Sequence, residues 1–226
     1  MNHVPHRSRA ASWRHGMARL VAALALASAG AALAASTILP SEFTTTSGTM
    51  WQYIVDHSAR TLNPTCYRSS AQPAESYNCL KVALLATGID KSLRAGGPVT
   101  LFAPTDAGFA ELAKVMGSTP FRVLMTQPAK LTEVLHNLMV EGRYTSADLQ
   151  ARSIPATGRL SLPTLAGTAL ELTFGHFTTG PGRVTVRVGP TTMQPAWEPY
   201  LVGQSVALDN GVIIPVDMVY LPSNLR

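Results

Sequence analysis

Charge is scarce in this chain: Asp, Glu, Lys and Arg make up 14% of its residues, and Lys and Arg never form a run. The basic excess that exists is confined to one end. The formal charge is +5, but Arg7, Arg9, Arg14 and Arg19 all precede the first acidic residue, Glu42, and without them 14 basic residues face 13 acidic ones. A stripe that tracks phosphates is therefore excluded, and no nucleic-acid partner is expected. Long hydrophobic runs are lacking too. The apolar stretch from Leu20 to Leu33 spans 14 residues, short of the roughly 20 that a spanning helix needs, so no stable membrane insertion is expected. Histidine is sparse, with only His57, His136 and His176 beyond residue 34. None belongs to a ligand-spaced pair such as HExxH, which argues against a metal. No G-x-S-x-G elbow is present, and Gly180-Pro181-Gly182 reads as a hairpin turn because no helix start follows it. The acidic residues are scattered. These features point away from an enzyme and call for no cofactor.

Cysteine is nearly absent, with only Cys66 and Cys79, twelve residues lying between them. That gap, with no histidine nearby, is not a zinc spacing. In an oxidising compartment the pair reads as a disulfide closing a polar loop from Tyr67 to Asn78; two free thiols are the alternative.

What is present suits one folded domain. Apolar residues make up 46% of 226, enough for a substantial core. Residues 1–34 read as a secretory signal peptide: a basic start ending at Arg19, an apolar centre, and Ala32-Leu33-Ala34 as a small-x-small cleavage site. Met17 is an alternative start, and a membrane anchor is the competing reading of the segment. Cleavage after Ala34 would leave an exported, periplasmic or extracellular protein. Residues 35–46 form an extended lead-in, 47–222 the domain, and 223–226 a tail.

Within the domain, Met50, Trp51, Ile54 and Val55 recur at helical spacing, with Ser47 or Thr49 as cap. Leu80, Ala83, Leu84 and Leu85 predict a second helix that stops near Gly88. Val99 to Ala103 has the bulk of a strand, and Thr105-Asp106 opens a helix whose face carries Phe109, Leu112, Ala113 and Met116. A short helix is predicted near Phe121 to Thr126 and a longer one from Pro128, the latter carrying Leu131, Val134, Leu135 and Leu138. Beyond Gly142, apolar and β-branched runs alternate with turns: Leu160 to Leu165, Ala169 to Phe174, Val184 to Val188, Tyr200 to Leu208 and Val212 to Leu221. Helices first and strands later make the α+β pattern. Asn210-Gly211 is expected to supply the positive φ of a tight hairpin, and Pro215 to mark a strand edge or a bulge.

Three of these segments, in order, resemble the fasciclin family. Thr100-Leu101-Phe102-Ala103-Pro104-Thr105-Asp106-Ala107-Gly108-Phe109 resembles its first motif. Val134-Leu135-His136-Asn137-Leu138-Met139-Val140-Glu141-Gly142-Arg143-Tyr144, followed by Thr145-Ser146-Ala147-Asp148-Leu149, resembles its second. Asp209-Asn210-Gly211-Val212-Ile213-Ile214 through Val219-Tyr220-Leu221-Pro222 resembles its closing hairpin. The resemblance implies a wedge of β-strands with helices along one side. It also implies an extracellular adhesion or interaction module, with lipophilic small molecules as ligands of some exported members. Two positions depart from the family pattern. Its Tyr-His dyad, linked to adhesion, is Leu135-His136 here, and a histidine of its closing hairpin is replaced by Ile214.

Two functional readings follow. In the first, the module binds a protein or cell-surface partner through exposed loops. Its candidate residues are His136 and the aromatic pair Trp197 and Tyr200, in the proline-rich stretch Thr191 to Gly203, since exposed Trp and Tyr are effective anchors. The plainer account buries the His136 ring in hydrogen bonds and folds the aromatic rings over the sheet. In the second, Met116, Met125 and Met139 line an adaptable pocket for a lipophilic molecule; ordinary core packing is their plainer role.

Overall fold

In a computed structural model of the chain, the described residues are 44–60, 62, 66–68, 76–174, 184–188, 204–217, 219 and 221. The signal segment, the lead-in before Thr44, the aromatic stretch with Trp197 and Tyr200, and the C-terminal tail lie outside them.

Two sheets organise the domain, which is α+β. The larger has five strands in the order β1-β7-β8-β2-β3. These are β1 (Thr44–Thr45), β7 (Val206–Leu208), β8 (Gly211–Val216), β2 (Val99–Pro104) and β3 (Met139–Glu141). Strands β2 and β8 run parallel, with Val99 opposite Gly211 and Pro104 opposite Val216. The second sheet is antiparallel and comprises β4 (Arg159–Pro163), β5 (Ala169–Phe174) and β6 (Val184–Val188). A single bridge between Val140 and Thr164 ties the two sheets together. Their burial differs as their sequences do. In β2 every residue after Val99 is buried and β8 is buried throughout, which matches sequences that are apolar apart from Thr100. Only Leu162 is buried in β4, the pattern of a sheet with one solvated face.

The helices pack on this frame. Helix α1 (Met50–Asp56) starts at Thr49, whose hydroxyl accepts from the Gln52 N–H, and it buries Met50, Trp51, Tyr53 and Ile54. Helix α2 (Asn78–Thr87) ends on Gly88 at φ 74°, a left-handed C-terminal position that glycine occupies without a Cβ clash. Helix α4 (Asp106–Met116) buries Phe109, Leu112 and Ala113, and α5 (Ser118–Met125) buries Phe121 and Leu124. Helix α6 (Pro128–His136) begins on proline, where a missing N–H costs no bond.

Two helices are additional to the sequence expectation. Helix α3 (Asp90–Ala95) is six residues long with Leu93 as its one buried apolar residue, too little for a periodic signal. Helix α7 (Ser146–Arg152) lies within the strand-rich half and buries one apolar residue, Leu149. Its signature was the capping box from Thr145 to Asp148 rather than any hydrophobic pattern.

Two turn expectations are corrected. Gly211 does not supply a positive φ; the positive-φ glycines are others. It is the first residue of β8, paired with Leu208, and the turn itself is Asp209-Asn210. Glycine is needed there because a Cβ would collide with Met50 Sδ and the Val99 carbonyl. Pro215 produces no bulge: its register against Ala103 is unbroken, and β8 is interior by strand order. The ladder to β7 stops at Val206 opposite Ile213, so the imide nitrogen of Pro215 takes no bond from β7. In that local sense the edge expectation holds.

Candidate functional site

Most of the polar residues in the recognisable motifs are engaged in holding the fold. Asp106 is 2% exposed. Its Oδ1 accepts from the Cys79 N–H at 2.7 Å, and its Oδ2 accepts from Ser76 Oγ at 2.6 Å and Asn78 Nδ2 at 2.7 Å. The carboxylate therefore caps the start of α2, which has no side-chain cap of its own. Its own helix is capped by Thr105, whose hydroxyl accepts from the Gly108 N–H. Asn78 Oδ1 accepts from the Ala59 N–H at 2.5 Å. Beside this cluster Lys81 is 5% exposed and donates its ammonium to the Ala59 carbonyl. Burial pushes the Lys81 ammonium below the ordinary lysine value, and the Asp106 carboxylate opposes that shift.

The disulfide between Cys66 and Cys79 sits against this network. The Cα atoms are 5.3 Å apart and both residues are buried. It fastens a short 3-10 turn (Cys66–Arg68) to α2, and Tyr67 of that turn packs on Phe121 with ring centroids 4.7 Å apart.

The closing hairpin is a second polar hub. Asn210 Oδ1 accepts from the Met50 N–H at 2.9 Å and Nδ2 donates to the Leu93 carbonyl at 2.8 Å. Asp209 Oδ2 accepts from the Gly48 N–H at 2.9 Å. The turn thus holds the start of α1 and the last part of α3.

The proposed binding residues are dispersed. His136 ends α6, half-buried, and its ring makes no hydrogen bond among the described residues. The buried bonding expected of it belongs to its neighbour: Asn137 is fully buried, donates Nδ2 to the Glu133 carbonyl at 2.9 Å and accepts from Thr168 Oγ1. Leu135, at the tyrosine position of the dyad, is core. Met139 is buried in β3 rather than on a helix, while Met116 and Met125 lie partly buried against the core at the ends of α4 and α5. Trp197 and Tyr200 lie outside the described residues.

A cleft of about 370 Å³ opens elsewhere, between α1 and the β1–β7 edge, and none of the described candidate residues lines it. Gln52, Tyr53, Asp56 and His57 form its helical wall; Val206 and Leu208 provide apolar surface opposite. Gln52 Nε2 donates to Asp56 Oδ1 at 2.7 Å. The His57 ring stacks on Tyr53 with centroids 4.0 Å apart, and its Nδ1 lies 2.8 Å from the Tyr53 carbonyl oxygen. The sequence carried half of this signal, in the four-residue spacing of Gln52 with Asp56 and of Tyr53 with His57. It gave no sign that β1 and β7, from opposite ends of the domain, would face that helix. Among the described residues no group of three or more His, Cys, Asp or Glu is placed to hold a metal ion, and no helix is long and apolar enough to cross a membrane.

Comparison with known proteins agrees with this architecture. The model of the fasciclin domain matches residues 75–222. A protein of Synechocystis sp. (strain ATCC 27184 / PCC 6803 / Kazusa), Protein sll1483, is 30% identical over 205 residues, covering 91% of this chain and 97% of the relative. A second protein of that organism, sll1735, described as uncharacterized, is 35% identical over 75 residues, 33% of this chain and 53% of its own length. Among solved structures, a FAS1 domain pair from the insect cell adhesion molecule Fasciclin I matches at TM-score 0.51 and 16% identity, over 66% of this chain. This chain spans 48% of that two-domain structure, and the likeness is one of fold. With its three motifs in register on this fold and the family model covering most of the domain, the chain belongs to the fasciclin domain family.

Proposed function

We propose that the protein is an exported, non-enzymatic interaction or adhesion module that binds a protein or cell-surface partner through exposed loops. The observation that carries this reading is how the motif side chains are used. Asp106, Asn137, Asp209 and Asn210 are engaged in bonds that join helices and strands, which leaves recognition to the surface between the motifs. The family and the cell-adhesion molecule with a like fold support the same reading. Fasciclin domains act typically as adhesion modules outside the cell, and export with cleavage after Ala34 agrees with the disulfide. The domain spans residues 47–222, with the strand Thr44–Thr45 of the lead-in added at the edge of its sheet.

The test uses the full protein, exported by its own cells and coated on beads, with attachment of those cells counted. Trp197→Ala and Tyr200→Ala should each lower attachment several-fold, as loss of an aromatic anchor does, with the urea midpoint unchanged. Attachment equal to that of uncoated beads would sink the reading. The mass of the recovered protein checks the cleavage site in the same preparation.

A second reading, a lipophilic-ligand binder, draws on the apolar residues around Met116 and Met125. Val115 is 59% exposed and Val123 48% exposed, an unusual placement for valine on adjacent helices. Enhanced fluorescence of a hydrophobic dye with the native protein, lost in Met125→Glu, would favour it; a flat response would count against it.

A further inference from the structure

The cleft beside α1 has a one-sided chemistry. Of the described residues that line it Asp56 alone carries a formal charge, and neither Lys nor Arg is among them. One Asp56 oxygen takes the Gln52 amide, and the other, Oδ2, has no donor among the described residues. At His57 the tautomer follows from its neighbour. The Tyr53 carbonyl oxygen only accepts, so Nδ1 carries the hydrogen that bonds to it, and in that tautomer Nε2 is left as an acceptor. The wall of α1 therefore offers acceptors and a negative charge. The apolar part of the lining comes from Tyr53, Val206 and Leu208, all of them buried. A volume of about 370 Å³ lies within the range of small-ligand sites.

We propose that this cleft is a binding site for a cationic group, a primary ammonium or guanidinium on a short apolar stem. The stem lies on Tyr53, Val206 and Leu208, and the head donates to Asp56 Oδ2 and His57 Nε2. An anion is disfavoured because the Asp56 carboxylate would repel it and the described lining residues include no cation to receive it. The same chemistry reaches the cleft from two sources, a free small amine or a lysine or arginine side chain of another polypeptide. The inference does not depend on the adhesive role proposed for Trp197 and Tyr200, because it is argued from Asp56, His57 and the apolar residues opposite them.

The experiment titrates agmatine, and separately the peptide Gly-Gly-Arg-Gly-Gly, into the isotopically labelled protein while amide resonances are followed. Agmatine is expected to shift the amides of Gln52 to His57 and of Val206 to Leu208 at millimolar concentration. Asp56→Asn, a change at an exposed residue, should weaken that binding roughly fivefold, the upper worth of an exposed ion pair. His57→Phe keeps the stacked ring, removes the acceptor and should weaken binding as well. If the peptide binds as agmatine does, the source is a side chain; if agmatine alone binds, it is a free amine. No shift of these amides with either probe at about 10 mM, a concentration that reveals even weak sites, would overturn the proposal. So would an unchanged affinity in Asp56→Asn, or glutarate binding as well as agmatine.

Discussion

Asp106 stands at the first turn of α4 and gives both carboxylate oxygens to the neighbouring α2. Lys81, two residues past Cys79 on that helix, answers it from a buried position whose ammonium is held below the ordinary value of 10.5, first by desolvation and against the pull of Asp106. The direction of the shift fixes the sign of a pH effect. A folded-state value below the unfolded one means that the unfolded chain binds more protons in the window between the two. Stability contributed at this site therefore rises as pH rises through that window and levels off above 10.5. Urea midpoints of the wild type and of Lys81→Met, measured from neutral pH to pH 10.5, should show the wild type gaining on the variant as pH increases. A difference that stays constant across the range would mean that Lys81 keeps its proton as readily folded as unfolded. The sequence reading of Thr105-Asp106 as a helix start was right for Thr105 and incomplete for Asp106. A sequence shows which helix a residue begins, while the carboxylate reaches one that began 28 residues earlier.

Elements meet here at distances that side chains alone do not reveal. Where α1 crosses the start of β8, Gly211 lies against Met50 Sδ on one side and the Val99 carbonyl on the other. Gly88, at the end of α2, has φ 74° and open space around it. Alanine tests the two roles separately. Gly88→Ala should cost about 1 kcal/mol, the strain of a left-handed residue with a Cβ. Gly211→Ala should cost about 2 kcal/mol or more, because a backbone carbonyl and a packed helix must move apart. Chemical denaturation ranks them, and the reverse order would mean that α1 shifts freely over the sheet. The same contrast marks what was legible beforehand. Strand β2 and helices α4 and α6 were readable, since each carries enough apolar residues at one period to declare its buried face. Helices α3 and α7 each bury a single apolar side chain, Leu93 and Leu149, and are fixed by contacts from afar, as Asn210 fixes the Leu93 carbonyl. The cleft was unreadable for the same reason. Its lining joins Tyr53 and His57 to Val206 and Leu208, and only sheet pairing brings those segments together.

At the scale of the whole molecule, the large sheet closes through partners far apart in sequence: Thr44 lies beside Val206 and Val99 beside Gly211. The disulfide does nothing to shorten those separations. It joins residues 13 apart, so it limits the unfolded chain only locally and anchors one turn in the folded one. For a loop of that length the lost chain entropy corresponds to about 3 kcal/mol. Replacing both cysteines, Cys66→Ala with Cys79→Ala, should therefore lower stability by about that amount while β2 and β8 still pair. Amide exchange distinguishes this outcome from general collapse. Protection of the β2 and β8 amides should fall by the global loss and no more, whereas the 3-10 turn and the Cys79 amide that Asp106 holds should exchange far faster than the sheet. Both cysteines are buried, so a reductant should act on the native protein only as fast as that region opens. If the variant keeps its full stability, the buried packing of Tyr67 on Phe121 holds the turn without the bond. If it loses the sheet as well, the turn is a condition for the fold rather than an attachment to it.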